Sequence, residues 1–115
     1  MSNNSPDVLK ALISGGTSGI GLALARGFAL AGYDVVAVGL GVLPRNTTRI
    51  RFASLDVTDG LAVASFVSKI VELDVVVNAA GIIRREDEFD PDIFAQVIDI
   101  NLNGTMRICT ATRTA

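Results

Sequence analysis

Residues 14–21 read Ser-Gly-Gly-Thr-Ser-Gly-Ile-Gly, half of them glycine, with an apolar run on each side. Such a stretch either turns too sharply for a Cβ or lets something come very close to its backbone. A helix that opens on glycines presents unpaired N–H groups and the positive end of its dipole, and both suit a phosphate. Thr17 and Ser18 add hydroxyl donors. The glycines at 15, 19 and 21 give G-x-x-x-G-x-G rather than G-x-G-x-x-G, and no lysine follows, which excludes a P-loop. The competing explanation is a glycine-rich turn that binds nothing. The phosphate reading requires that amides between Gly15 and Gly21 are not already spent inside the protein.

The elements around this turn decide between the two. Residues 8–14 form a short apolar run bounded by glycine, as expected of a strand. Over 19–31 the apolar residues Ile20, Leu24, Phe28 and Ala31 fall at helical spacing, and Gly32 sits where a helix end favours glycine. Residues 34–38 (DVVAV) have the β-branched density of a strand covered on both faces. Residues 50–55 read as a third strand. Thr58 or Asp59 can cap a helix over 60–72 with Val63, Phe66, Val67 and Ile70 on one face. Residues 74–78 (DVVVN) form a fourth strand, and Asp90-Pro91 opens a helix predicted to run from Asp92 toward the end. The order β-α-β-β-α-β-α predicts an α/β fold, a doubly wound parallel sheet with helices on both faces. The short link 40–49 has no room for a full crossover helix and leaves the order of the second and third strands open. The glycine run thus lies between a first strand and a first helix, where such sheets bind ligands.

Composition narrows the function classes. The chain has 115 residues, half of them hydrophobic, and a net charge of −2. One domain over 8–115 with a loose start at 1–7 is expected. No basic patch stands out, so neither nucleic acid nor an anionic membrane is an expected partner. The most apolar stretch, 22–43, is broken by Arg26, Asp34 and several glycines, and residues 1–7 lack an apolar signal core. Cys109 is the only cysteine and histidine is absent, which leaves no internal disulfide and no Cys/His metal site. A soluble cytoplasmic protein is the expectation.

Four ordered stretches resemble the short-chain dehydrogenase/reductase family. Residues 14–21 are similar to its T-G-x-x-x-G-[IL]-G signature, with Ser14 for the first threonine. Leu55-Asp56-Val57-Thr58-Asp59 resembles the family's stretch after the third strand. Asn78-Ala79-Ala80-Gly81 resembles its N-[NA]-A-G motif, and Ile100-Asn101-Leu102-Asn103-Gly104 its active-site asparagine segment. The resemblance covers nearly the whole chain from residue 8. It implies a Rossmann-type domain that binds a nicotinamide dinucleotide and transfers hydride to or from an alcohol/carbonyl substrate. The implied cofactor residues are Gly15, Thr17, Ser18, Gly19, Ile20, Gly21, Leu40, Asp56, Val57, Asn78, Ala79, Ala80 and Gly81. Asp56 would hold the adenine amino group, and Asn101 is the implied catalytic-site residue, acting through its backbone carbonyl and a water. A homo-oligomer is also implied. The wording of 78–84 and the short link after strand two look most like sugar-acid or polyol enzymes of the family.

The end of strand two ordinarily separates NAD from NADP, a carboxylate bonding the ribose hydroxyl or an arginine the extra phosphate. Gly39 and Leu40 occupy those positions and carry no charge, and Arg45 follows in the loop. NAD is slightly preferred over NADP. The family's Tyr-x-x-x-Lys pair and preceding serine are not among the 115 residues. The one tyrosine, Tyr33, has Ala37 four places on. The expectation is therefore the cofactor half of a longer enzyme, cut after the fourth strand and following helix and inactive alone. Its fourth strand would be an unpaired edge that invites association. The alternatives are a non-catalytic NAD(P)-binding regulatory module and a piece that binds nothing.

Overall fold

A computed structural model describes residues 8–70, 72–81, 87 and 90–113. Four strands, β1 (Lys10–Ser14), β2 (Asp34–Gly39), β3 (Ile50–Ser54) and β4 (Val75–Asn78), form one sheet in the order β3-β2-β1-β4. All three pairings are parallel. The helices are α1 (Gly19–Leu30), α2 (Gly60–Ser68), α3 (Pro91–Ile98) and α4 (Gly104–Thr112). Among the described residues, no helix is long and apolar enough to cross a membrane.

Alternation along the strands builds a core on each face of the sheet. Ala11, Ile13, Val35, Ala37, Ile50 and Phe52 point to one face and meet Ala25 of α1. Leu12, Val38, Leu55 and Val57 belong to the other, under Val63 and Val67 of α2 and Ile108 of α4. Helices thus cover both faces, as the doubly wound reading requires. The open question of strand order resolves as direct parallel pairing of β2 with β3, Val35 opposite Ile50 and Gly39 opposite Ser54. No helix intervenes. Instead the link supplies acceptors to the outer edge of β3: Thr47 Oγ1 takes the Ile50 amide at 3.0 Å, and Asn46 Oδ1 the Phe52 amide at 2.8 Å. Side chains here satisfy a strand edge that would otherwise stay open.

Three expectations about the helices need correction. In α1 the buried residues are Gly21 and Ala25, with Leu22, Phe28 and Ala29 packed beside them, whereas Ile20 is 80% exposed and Leu24 and Ala31 are exposed as well. Spacing alone picked the bulky residues, but close approach to the strands selects small ones. Helix α2 stops at Ser68, short of residue 72, because Lys69 and Ile70 donate to Phe66 and Val67 and tighten the last turn into three-residue spacing. The last helix is not continuous: a π-helical turn, Asp99–Asn103, separates α3 from α4. The helix boundaries that rest on caps hold. Asp59 accepts from the Ala62 amide at 3.0 Å, and Asp90 from Asp92 at 2.8 Å ahead of Pro91. Gly32 at φ +96° lets its own amide and that of Tyr33 return to Ala29 and Phe28 and close α1.

Candidate functional site

Three of the four stretches singled out by sequence leave the carboxyl ends of strands, as does Leu40, whereas the fourth, 100–104, lies in the π-helical turn and the start of α4. The glycine turn follows β1, Leu40 follows β2, Asp56 and Val57 follow β3, and Ala79–Gly81 follow β4. Two adjoining cavities form there. One, of about 250 Å³, is lined by Gly15, Thr17, Ser18, Gly39, Leu40, Leu55, Asp56, Val57, Ala80, Gly81 and Ile100. The other, of about 280 Å³, is lined by Gly15, Ser18, Gly19, Ile20, Gly21, Ala79, Ala80 and Gly81. They share the wall made by Gly15, Ser18, Ala80 and Gly81, so the two read as one cleft along the top of the sheet. A larger cavity, about 430 Å³, opens at the opposite end around Lys10, Asp34, Arg49 and Lys69. Its Arg49 is already bonded to the Gly32 carbonyl and to Asp34, and it lies away from the strand ends where such sheets bind ligands.

Glycine makes the turn possible by shape. Gly15 has φ +75°, and a Cβ on it would overlap the Ala79–Ala80 backbone, with Ala79 C only 2.5 Å away. A Cβ on Gly21 would collide with the Gly15 carbonyl oxygen. The turn is therefore wedged between β4 and α1. The amides of Gly15 and Gly16 both donate to the Val38 carbonyl, at 2.8 and 3.0 Å, so these two are spent within the protein. Those of Ser18 to Gly21 are in a different position. The first helical bond is from Leu22 N–H to the Ser18 carbonyl at 3.1 Å, and the Ser18 side chain makes no cap bond. Four N–H groups thus precede the helical ladder, as at any uncapped helix start. Here they lie beside the cleft.

Thr17 is buried against the bare Cα of Gly39, where an added Cβ would meet its hydroxyl oxygen, while Ser18 is exposed. Asp56 lies across the cleft. The Thr58 hydroxyl donates to Asp56 Oδ1 at 2.7 Å and the Thr58 amide at 2.9 Å. These two bonds hold the Asp56 carboxyl below the usual carboxylate range, so it is an ionised acceptor at neutral pH. Among the described residues no bond is made to its Oδ2. Leu40 is 61% exposed on the same wall.

Asn78 and Asn101 line neither cavity. Asn78 stands in register with Ser14, and its Nδ2 contacts the Cys109 sulfur at 3.6 Å. Asn101 lies in the π-helical turn, its carbonyl accepting the Thr105 hydroxyl at 3.1 Å. Its Oδ1 would sit 3.2 Å from a Cβ on Gly81, so its carboxamide abuts the end of the cleft wall. Sequence reasoning missed Leu55 and Ile100 as lining residues. Leu55 carried no polar signal, and Ile100 comes to the cleft from a helical irregularity that no residue spacing announces. Among the described residues no group of His, Cys, Asp or Glu is placed to hold a metal. Tyr33 stacks edge-on against Phe28, ring centres 5.0 Å apart, at the end of the sheet remote from the cleft.

Ser14 closes β1 just before the turn. It is 1% exposed, and its hydroxyl has no hydrogen-bond partner among the described residues. A buried unbonded hydroxyl costs about 1–3 kcal/mol. Ser14→Ala is therefore expected to leave stability unchanged or raise it by about 1 kcal/mol, as read from the urea midpoint. A loss of similar size would show that the hydroxyl has a partner after all.

The family model described as short chain dehydrogenase matches residues 9–115. The 2-dehydro-3-deoxy-D-gluconate 5-dehydrogenase of Dickeya dadantii is 41% identical over 106 residues, covering 80% of this chain and 42% of that protein. The 3beta-hydroxysteroid dehydrogenase of Mediterraneibacter gnavus is 36% identical, covering 85% of this chain and 41% of its own. The crystal structure of a gluconate 5-dehydrogenase from Burkholderia cenocepacia in complex with NADP and tartrate superposes with a TM-score of 0.76 at 30% identity, over 91% of this chain and 47% of that one. The chain thus spans less than half the length of these relatives. With a family model running through the glycine turn, the Asp56 loop and the β4 wall, the chain belongs to the short-chain dehydrogenase family of oxidoreductases.

Proposed function

We propose that the cleft binds the adenosine diphosphate part of a nicotinamide dinucleotide, and that the whole protein transfers hydride between that cofactor and an alcohol/carbonyl substrate of the sugar-acid class. The observation that carries the reading is the pairing, at one end of the cleft, of Ser18–Gly21 amides with no backbone acceptor among the described residues and, across it, the ionised Asp56 carboxylate. Amides and dipole suit the diphosphate, and the carboxylate suits the adenine amino group. Leu40 takes the place beside the adenosine ribose, and Ala79–Gly81 form the floor. When bound, the nicotinamide ring supplies the hydride acceptor or donor. Asn101, next to Gly81, is assigned to positioning at the reacting end. The sugar-acid class is supported by the gluconate-type relatives and by the short β2–β3 link. Relatives that act on other alcohols make it a narrower claim than the cofactor.

The proton-transfer pair of the family is not among these 115 residues, and Tyr33 is engaged in the core. The chain by itself is accordingly proposed to bind without turning over. A non-catalytic, redox-sensing module is the second reading, since Gly39 and Leu40 leave the ribose end uncharged. Titration of NADH and of NADPH, followed by nicotinamide fluorescence with ADP as competitor, tests the binding claim. A saturable signal displaced by ADP is expected. If neither nucleotide saturates, the dinucleotide reading is wrong. Hydride transfer from 2-keto-3-deoxy sugar acids to the oxidised cofactor, or the reverse, by the whole protein separates the enzyme from the sensing module.

A further inference from the structure

Gly104 begins α4 at a point where a Cβ would lie 2.6 Å from Val57 Cγ2. The missing side chain lets the helix lie against the loop that follows β3. Three residues on, Arg107 reaches that loop. Its Nη1 donates to the Val57 carbonyl at 3.0 Å and, at 3.4 Å, to the Asp99 carbonyl. Its Nη2 donates to Asp99 Oδ1 at 2.7 Å. One partly buried guanidinium therefore clamps the π-helical turn to the residue next to Asp56, across 50 residues of sequence.

We propose that Arg107 is a positioning residue for recognition of the nucleotide base, fixing the Asp56–Val57 loop so that the Asp56 carboxylate faces the adenine amino group. The inference rests on the dinucleotide reading of the cleft. The loop has its own bonds, from Thr58 to Asp56 Oδ1 and from the Asp59 amide to the Asp56 carbonyl at 3.1 Å, but these are internal to residues 56–59. They shape the turn without tying it to the rest of the molecule. Val57 is packed under α2 and α4 and the Leu55 amide donates to the Gly39 carbonyl, and Arg107 adds the side-chain bond that ties the loop to the π-helical turn. The planar fork suits the task because it serves two acceptors at once in fixed geometry, which a lysine ammonium does not. The Asp56 carboxyl is held low by the Thr58 bonds; burial and the Asp99 charge work against them, and the Arg107 charge, the smallest contribution, offsets Asp99 in part, so the clamp acts on Asp56 through position rather than charge. Asp99 completes the clamp. Its carboxyl is held below the ordinary range by the Arg107 bond first and the Asn103 amide second, so the pair is charged at neutral pH.

Base selectivity is the readout that loss of general stability would not move. The probes are NADH and its hypoxanthine analogue, which carries a carbonyl where adenine has the amino group. Losing the amino donor to the Asp56 carboxylate in that change is worth on the order of tenfold in affinity. Wild-type protein is expected to prefer NADH about tenfold, and Arg107→Met to shrink the preference to about twofold with an unchanged far-ultraviolet spectrum. Arg107→Lys keeps the charge but not the fork and is expected to fall between. It carries the test if the methionine variant does not fold. A wild type that discriminates, with either folded variant discriminating equally well, overturns the positioning role alone. A wild type that binds neither nucleotide overturns the dinucleotide reading and this inference with it.

Discussion

Gly15→Ala is expected to lower the unfolding free energy by about 2–5 kcal/mol and to abolish nucleotide binding. Two costs combine. The residue has φ +75°, where an L side chain pays about 1–2 kcal/mol. The new methyl would also lie within contact of Ala79 C and Ala80 Cα, at 2.5 and 2.6 Å. Those are backbone atoms, so no rotamer change relieves the overlap. They are also held in place: the Ala79 amide donates to the Ser14 carbonyl at 2.8 Å, and Ser14 is in register with Asn78. Relief means parting β1 from β4 at the cleft, and overpacking of that kind costs about 1–3 kcal/mol or more. Against a domain stability of about 5–15 kcal/mol the loss is large. Gly19 is the internal control. It has φ +56°, but a Cβ there meets nothing within 4 Å, so Gly19→Ala should lose only the conformational cost of about 1–2 kcal/mol. Urea midpoints for the two variants decide the matter. Equal destabilisation would show that the close approach to β4 does not constrain position 15.

The same comparison shows what a sequence can and cannot disclose. Strands, caps and the carboxyl-end location of three of the four motifs are readable because each rests on local chemistry: β-branched density in DVVAV, Asp before Pro91, glycine at 32. The cleft followed, since parallel topology brings strand ends together whatever lies between. The buried face of α1 was misread because bulk and spacing favour Ile20 and Leu24, whereas the helix is pulled against the sheet by what Gly21 and Ala25 lack. Glycine reads as flexibility in a sequence and acts as proximity in the fold. The π-helical turn at Asp99–Asn103 left no periodic trace, so Ile100 and the Arg107 clamp stayed hidden. The short link 40–49 could be seen, but not that Asn46 and Thr47 would replace a helix by bonding the edge of β3. Of the 78–84 stretch that looks most like sugar-acid or polyol enzymes, residues 82–84 lie outside the described residues.

Cofactor choice yields the second large effect, and the geometry redirects where to seek it. A carboxylate at the end of β2 is the usual device for preferring NAD, and Gly39 is the position that suggests itself. A side chain at Gly39, however, would drive its Cβ into the hydroxyl of Thr17, which is only 6% exposed and would have to turn aside. Gly39→Asp should therefore cost about 1–3 kcal/mol of stability and weaken both nucleotides alike. Leu40 is free of this constraint: it is 61% exposed and lines the cleft with Asp56. Leu40→Arg offers a forked donor to a ribose phosphate, a charged hydrogen bond worth about 1.5–3 kcal/mol before solvent screening. NADPH affinity is expected to rise about tenfold with NADH nearly unchanged. Leu40→Asp should act in the opposite sense, repelling the phosphate and accepting from the ribose hydroxyl. Together the two substitutions should swing the NADPH-to-NADH ratio by about a hundredfold at low salt and less at high salt, because exposed charges are screened within about 8–10 Å. Competitive fluorescence titrations of the three variants at two ionic strengths measure the swing. A ratio that stays within twofold for leucine, arginine and aspartate would remove residue 40 from the ribose wall and, with Gly39 crowded by Thr17, would leave β2 without a part in choosing the cofactor.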